Sequence, residues 1–453
     1  MAETSRRDIL RAGATMFAGV ASGSLATPQT TQADVHDVNA VTSAQGNAEC
    51  NFGHTILFMD EYFRDTLEIL GRLHGEVEHV GELSARAASV IRNGKTVWTS
   101  MDEGHIAYYE HQASRRGNPG ILKNHRKFDQ LQKGDLVFTN YCNRSVLSAR
   151  ERGVYVVCVA VNYQNNEFRP AGFTDTTHSN PDGLMLKDVS NEILHTHVPY
   201  QQGLVHAPEI PEFVICPSSG TGSVALFWMI NAEIVDKLTN PGAKPVDLSI
   251  RYLDTLTDRV QRIKPQRDRI REVAVRMARQ IRDGGRWFVK SIEYKGFESE
   301  ITHVASGPRI VNWGDWDATQ EKNVLLVNAI SPAHRPEVRL ALEKQLEGAY
   351  VIGIGPQTLD GVRPAGRLID IADVGFDNHS PESGGMIARA GHDGGICPTS
   401  GVVGNVIQQM ICAQWVDEMV RRGSVPYFYM GNFQEGGAEY NEAMTAFFEH
   451  QGF

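Results

Sequence analysis

Two short stretches carry residue types suited to holding an anion. Cys216-Pro217-Ser218-Ser219-Gly220-Thr221-Gly222-Ser223 is rich in glycine and hydroxyls and runs into an apolar segment, Val224 to Leu238. That pattern predicts a loop opening a helix, whose unpaired N–H groups and partial positive charge attract anions. The same residue types also cap ordinary helices, so a plain capping role stands beside the anion-binding one. A second copy, Cys397-Pro398-Thr399-Ser400-Gly401-Val402-Val403-Gly404, begins 181 residues later and runs into Val406 to Met419. The two apolar runs end alike, in Ile234-Val235-Asp236 and Trp415-Val416-Asp417.

Candidates for acid–base work are Glu110, Glu300, His105, His197 and His379. A carboxylate and an imidazole with pKa values near the working pH can act as base and acid in a proton transfer. The plainer alternatives are solvated carboxylates on helix faces and loop histidines bonded to backbone carbonyls. His195 and His197, two apart on a strand, would face the same way and make half a metal site. The matching positions, Asp377 and His379, repeat only one carboxylate–imidazole pair, so no metal and no other cofactor is expected. Cys216 and Cys397 open the matched motifs. A thiolate at a helix N-terminus has a lowered pKa, against the simpler reading of a small buried residue before proline.

The elements that must position these residues also occur twice. Leu67, Leu70, Leu73, Val77 and Val80 give a helical period from Asp60 to Arg92, ending at Gly94. Ile250 to Ile281 is helical in pattern too, interrupted at Pro265 and ending at Gly284, an offset of 190. Strand runs follow in both: Lys95–Thr99 and Arg286–Lys290, Asp135–Thr139 and Asn323–Val327, Val154–Val161 and Tyr350–Ile354. Helices are expected around Ile106 to Arg115 and Phe297 to Ser306, which places Glu110 against Glu300. Next come Asn191–Pro199 and Asp373–Pro381, aligning His197 with His379, just past the strand before each anion-site helix. Apolar strands alternating with helices indicate a parallel sheet covered on both faces. The chain is therefore expected to hold two copies of an α/β unit, residues 55–240 and 250–453, joined near Thr239 to Pro245. Open sheets of this kind bind ligands beyond the carboxyl ends of their strands, where the histidines fall.

With 453 residues, 41% of them hydrophobic, the chain can bury a large core. A formal charge of −10 argues against general nucleic-acid binding, and six cysteines in this length are no disulfide framework. Ser5-Arg6-Arg7-Asp8-Ile9-Leu10, a weakly apolar run from Ala12 to Ala26 and a Thr31-Gln32-Ala33 cleavage site have the form of a twin-arginine export signal over residues 1–33. A disordered basic tail is the alternative. Residues 34–54 then form a polar leader. The expectation is export through the twin-arginine translocase to the periplasm or beyond, with no membrane span in the mature chain.

The order of elements resembles the sugar isomerase (SIS) domain family. The second half carries most of the likeness: Asp373-Val374, Asp377-Asn378-His379-Ser380-Pro381, Pro398-Thr399-Ser400-Gly401, Pro426-Tyr427-Phe428, Asn432 and Gly436-Gly437-Ala438-Glu439-Tyr440-Asn441. The first half adds Glu192-Ile193, His197-Val198-Pro199 and Pro217-Ser218-Ser219-Gly220-Thr221. The resemblance implies two tandem doubly wound, flavodoxin-like units with parallel sheets. It implies an internal pseudo-dimer, with homodimerisation left open, and ligand sites at the seam between copies. It implies a sugar or sugar phosphate as ligand. Phosphate would be held by Ser218, Ser219, Gly220 and Thr221 and by Thr399 and Ser400. In the loop after the second strand this chain departs from the family's Ser-x-Ser-Gly-x-Thr run, offering Arg144 and Ser145 in one half and Ser331 and Arg335 in the other. Glu110 resembles the catalytic glutamate of phosphoheptose isomerase in its placement, and Glu300 repeats it. Two activities follow as expectations: aldose–ketose isomerisation through an enediol, or carbohydrate-derivative binding without catalysis.

Overall fold

The computed structural model describes residues 56–101, 105–124, 127–160, 183–240, 247–302, 304–311, 313–317, 322–389, 392–431, 434 and 436–453. They belong to one compact unit, Phe52–Phe453. The export signal, the polar leader and residues 241–246 of the join lie outside the described residues. So does the side chain of His105.

The first half opens with α1 (Phe58–Leu73) and α2 (Val77–Arg92). Its strands are β1 (Val97–Ser100), β2 (Lys123–Asn124), β3 (Leu136–Thr139), β4 (Tyr155–Ala160) and β5 (Glu192–His195), with α3 (His105–Glu110) after β1 and α4 (Arg144–Glu151) after β3. These five strands form a parallel sheet in the order β2-β1-β3-β4-β5. A two-stranded antiparallel hairpin, β6 (Gly203–Val205) with β7 (Ile215–Pro217), leads into α5 (Ser219–Thr239).

The second half repeats the plan. Helices α6 (Asp247–Gln261) and α7 (Arg267–Arg282) precede β8 (Trp287–Lys290), α8 (Gly296–Ser299), β9 (Val324–Asn328), α9 (Arg335–Leu346), β10 (Tyr350–Gly355) and β11 (Val374–Asp377). The parallel sheet runs β11-β10-β9-β8. The hairpin β12 (Ile387–Arg389) with β13 (His392–Ile396) leads into α10 (Ser400–Val420), and α11 (Gly437–Gln451) closes the chain. The two-unit α/β reading of the sequence is thus what the chain adopts.

The structure corrects three local expectations. The single helix expected over Asp60–Arg92 is broken by a 3-10 turn, His74–Glu76. Gly75 stands there at the position that Pro265 takes in the second half, where Lys264–Gln266 makes the same break. The helix expected to reach Arg115 stops at Glu110, and that expected from Phe297 to Ser306 is a single turn. A hairpin also separates His197 and His379 from the anion-site helices, so the histidines do not sit on the strand that enters those helices.

Helices α5 and α10 form the centre. Every residue of α10 is buried, as are nearly all of α5. A helix buried on every face has no solvent side and must be covered all round. The covers cross the halves: α10 packs on α7 and on α1, while α5 packs on α2 and α6. Trp228 and Trp415 are among the largest fully buried side chains, and strands β3, β9 and β10 are buried along their whole length. Among the described residues, no helix is long and apolar enough to cross a membrane.

Candidate functional site

The backbone enters both central helices through the same strained turn. Cys216 has φ 62° and Cys397 φ 61°, a left-handed conformation that non-glycine residues rarely adopt. His197 (φ 56°) and His379 (φ 52°) form a second matched pair. Strain recurring at the same places in both halves means that the surrounding packing fixes it twice. Both thiols are buried, and burial pushes their pKa values up, Cys216 further through its neighbour Cys412. They fit the reading of small buried residues.

The two cradles at these helix starts are built alike but occupied differently. In the first, the backbone N–H and hydroxyl of Ser218 donate to the Gln202 carbonyl at 2.8 and 3.0 Å. The Ser219 hydroxyl is buried with no hydrogen-bond partner among the described residues. In the second cradle both hydroxyls are engaged. Thr399 Oγ1 lies 2.9 Å from Ser380 Oγ and accepts from Arg259, itself paired with Glu382. Ser400 Oγ accepts from Arg115 Nη2 at 2.9 Å.

Arg115 also holds Glu110. Glu110 is fully buried, and its Oε2 accepts from Arg115 Nε at 3.0 Å and from Trp228 Nε1 at 3.1 Å. Its Oε1 has no partner among the described residues and lies against Gly401, where a Cβ would come within 1.9 Å of it. Glu110 of the first half therefore stands at the helix start of the second, and the seam is shared between the halves. The Arg115 guanidinium lies 4.8 Å over the Tyr294 ring. Burial works most strongly against its charge, but Glu110, Tyr294 and Glu293 together raise its pKa.

Glu300, at the position in the second half that matches Glu110, is fully buried. Its charge, after burial itself and Cys216, raises the pKa of Tyr62, whose phenol donates to the Pro217 carbonyl at 3.1 Å beside the first cradle. Tyr252 repeats this in the second half, donating to the Pro398 carbonyl at 3.2 Å. Tyr294 feels both carboxylates: burial first, then Glu110, and more weakly Glu300, push its phenol up.

The histidines sit elsewhere. His197 Nε2 is 3.0 Å from Glu76 Oε1, and it lines a cavity of about 370 Å³ with Asp65, Glu68, Tyr200 and Gln201. Burial opposes the Glu76 charge, yet the bond from His197 and the nearby His195 hold its carboxyl below the usual range. His379 Nδ1 is 2.9 Å from Asp377 Oδ2, and its Nε2 is 3.1 Å from the Arg262 carbonyl. Among the described residues, no hydrogen bond joins either histidine to Glu110, Glu300 or a cradle hydroxyl.

The loops after the second strands hold the remaining candidates. Arg144 and Ser145 are exposed in the first turn of α4, where Asn143 Oδ1 accepts from the Ser145 and Val146 N–H groups at 3.0 and 3.2 Å. Arg335 is exposed at the start of α9, and Ser331 donates to Glu293 through its N–H at 2.8 Å and through its hydroxyl. An internal carboxylate occupies the neighbouring backbone: Glu337 accepts from the N–H groups of Ile292, at 2.8 Å, and Glu293, and contacts His334.

The structure thus gathers Glu110 with Ser400 around Arg115, buries Glu300 within electrostatic reach of Tyr62 beside the first cradle, and leaves the histidines and the Arg144 and Arg335 loops outside. Sequence reasoning missed Arg115, Trp228, Tyr294 and the tyrosine pair. Tyr62 and Tyr252 were findable, because they share the 190-residue offset of the glutamates. Arg115 was not, since its counterpart is Ala305.

No family model matches this chain. A stretch of 138 residues is 25% identical to a UPF0309 protein of Shouchella clausii strain KSM-K16, covering 29% of this chain and 56% of that protein. Another of 132 residues is 26% identical to a UPF0309 protein of Geobacillus thermodenitrificans strain NG80-2, covering 28% and 53%. The chain spans about half the length of the curated relatives it matches. Among solved structures, a candidate phosphosugar isomerase of Clostridium difficile 630 is 10% identical with a TM-score of 0.47, over 82% of this chain and 96% of that one. The C-terminal domain of glucosamine-fructose-6-phosphate aminotransferase from Francisella tularensis is 11% identical with a TM-score of 0.43, over 84% and 99%.

Proposed function

We propose that this chain binds a sugar or sugar phosphate at the first cradle and does not isomerise it. One contrast carries the reading: the Ser219 hydroxyl of the first cradle is buried without a partner, while Thr399 and Ser400 of the second are taken up by Arg259 and Arg115. A buried donor without a partner costs free energy unless a ligand supplies the acceptor. The second cradle already has its bonds, so an anion there would have to displace two guanidinium contacts.

Isomerisation needs a carboxylate base free to reach the substrate's C1 and C2. Glu110 is tied by Arg115 and Trp228, and that tie supports binding over catalysis. The isomerase reading keeps one observation in its favour, the unpartnered Oε1 of Glu110. In the state described, the first cradle is closed, with Ser218, Ser219 and Thr221 each at most 1% exposed. A ligand therefore enters with a movement of the segments that cover it. We propose also that residues 1–33 export the chain, and that the binding is done outside the cytoplasm.

A thermal-shift panel of sugars and their phosphates tests the binding. The expectation is a rise in Tm with at least one of them that Ser219→Ala abolishes and Ser400→Ala leaves in place. The absence of any shift across the panel removes the proposal. Turnover of an aldose phosphate to its ketose, lost in Glu110→Gln, would restore the isomerase.

A further inference from the structure

The segment after α10 has no counterpart in the first half. Residues 427–429 run back along 306–309: Arg309 N–H donates to the Tyr427 carbonyl, Tyr429 N–H to Gly307, and Ser306 N–H to Tyr429, each at 2.8 Å. Pro308 and Phe428 form the bridge at the middle of this ribbon. Arg309 stands on it with its guanidinium carbon 4.3 Å from the Tyr429 ring centre and 5.6 Å from that of Phe448.

Among the described residues, this guanidinium has no carboxylate partner. Arg115, Arg259 and Arg367, all largely buried, are each paired, with Glu110, Glu382 and Asp370. For Arg309, no side-chain hydrogen bond or ion pair is found among the described residues, and its Nε is buried without a partner. It lines a cavity of about 480 Å³ together with Tyr429, Asn441, Glu442 and Thr445. That volume is in the range of small-molecule sites, roughly 300–1,000 Å³. An arginine fork stacked on a ring is held flat and loses little entropy when it takes an oxyanion on two parallel bonds.

The other lining groups narrow the ligand. The Asn441 side chain is spent on Met430, accepting from its N–H at 2.9 Å and donating to its carbonyl at 2.8 Å. Thr445 donates its hydroxyl proton to the Asn441 carbonyl at 2.6 Å, so toward the cavity it only accepts. Glu442 is exposed at the rim and, ionised, also only accepts. Beside the Tyr429 phenol, which can donate or accept, one cation and two acceptors suit a molecule with one anionic group and hydroxyl donors. We infer that this cavity is a second ligand site, taking a small hydroxylated anion, a phosphate monoester or a carboxylate, through Arg309. The inference does not depend on the Ser218–Thr221 cradle.

Isothermal titration of the full-length Ser219→Ala chain, whose first cradle is disabled, with glucose 6-phosphate, gluconate and uncharged glucose tests it. Binding of one or both anions is expected, with none of glucose. Which anion binds tells the phosphate source from the carboxylate one. Adding Arg309→Gln should weaken that binding at least about tenfold. Should that variant fail to fold, Arg309→Lys keeps the charge without the fork and is expected to weaken binding as well. The inference falls if neither anion binds, if glucose binds equally well, or if the arginine variants bind as the Ser219→Ala chain does. It falls also if an anion binds the unaltered chain but not the Ser219→Ala chain, which would return the anion to the cradle.

Discussion

Removing Arg115 tests how the second seam is locked. The Arg115–Glu110 pair is almost wholly out of water, with the two side chains 3% and 0% exposed. Breaking such a pair by deleting one partner leaves an uncompensated buried charge and costs about 3–5 kcal/mol. Arg115→Met keeps the volume along the side-chain stem but leaves Glu110 with the Trp228 bond alone and Ser400 without its donor. A loss near the top of that range is expected, because the lost hydrogen bond to Ser400 adds to it. Glu110→Gln should be costly as well, since it strands the guanidinium. The double variant replaces both charges, so it should recover at least about 2 kcal/mol of the summed losses, as a coupled pair does in a double-mutant cycle. Urea denaturation of the four proteins at pH 7, followed by tryptophan emission, gives the cycle directly. A single-variant loss under about 1 kcal/mol, or strict additivity, would refute the claim that this ion pair holds the seam.

Further outcomes are expected. His111 is buried against Phe227, and burial lowers its pKa to about 3. The unfolded chain then binds the extra proton between about pH 6.5 and 3, so this residue makes stability fall by about 1.4 kcal/mol per pH unit as pH drops through that window. His111→Phe should flatten the acid limb there, and an unchanged slope would show that the imidazole is not buried as described. Glu76 and Asp377 have lowered pKa values in the fold, each pulled down by its histidine against burial. Their contribution is present above their unfolded values, roughly 4, and is lost as pH falls below them. Glu76→Gln and Asp377→Asn should each lessen the stability gained on raising pH from 2 to 5, and equal gains would refute the histidine pairing. Gly401→Ala puts a methyl into Glu110 Oε1, and overpacking of that kind costs about 1–3 kcal/mol. A tolerated alanine, read by thermal unfolding, would mean that Glu110 does not sit on that helix start.

Sequence alone determined that the chain is an α/β repeat. Period-2 and period-3.6 patterns are local, and each recurs at offsets of 181 to 196 residues, so element types and their order were readable before any contact was known. The matched Cys-Pro and His-x-Pro steps were visible in the sequence, but their left-handed backbone was not, because no local pattern requires it. The 3-10 break at Gly75 was not visible either, because glycine inside a helical period signals a break less strongly than Pro265 does. The β6–β7 and β12–β13 hairpins were too short to show a period.

Tertiary structure decided the site. Proximity in sequence placed Glu110 near His105, but the fold set it against Gly401 and Trp228, residues 118 and more positions away. Whether a hydroxyl is free or spent depends on which distant donor reaches it, and Arg115 reaches Ser400 across 285 residues. The repeat predicts symmetric cradles, yet two unrepeated arginines, Arg115 and Arg259, make them unequal. No local pattern encodes that difference, because Arg115 and Ser400 come from opposite halves, Arg259 and Thr399 lie 140 residues apart, and each pair meets only in the folded chain.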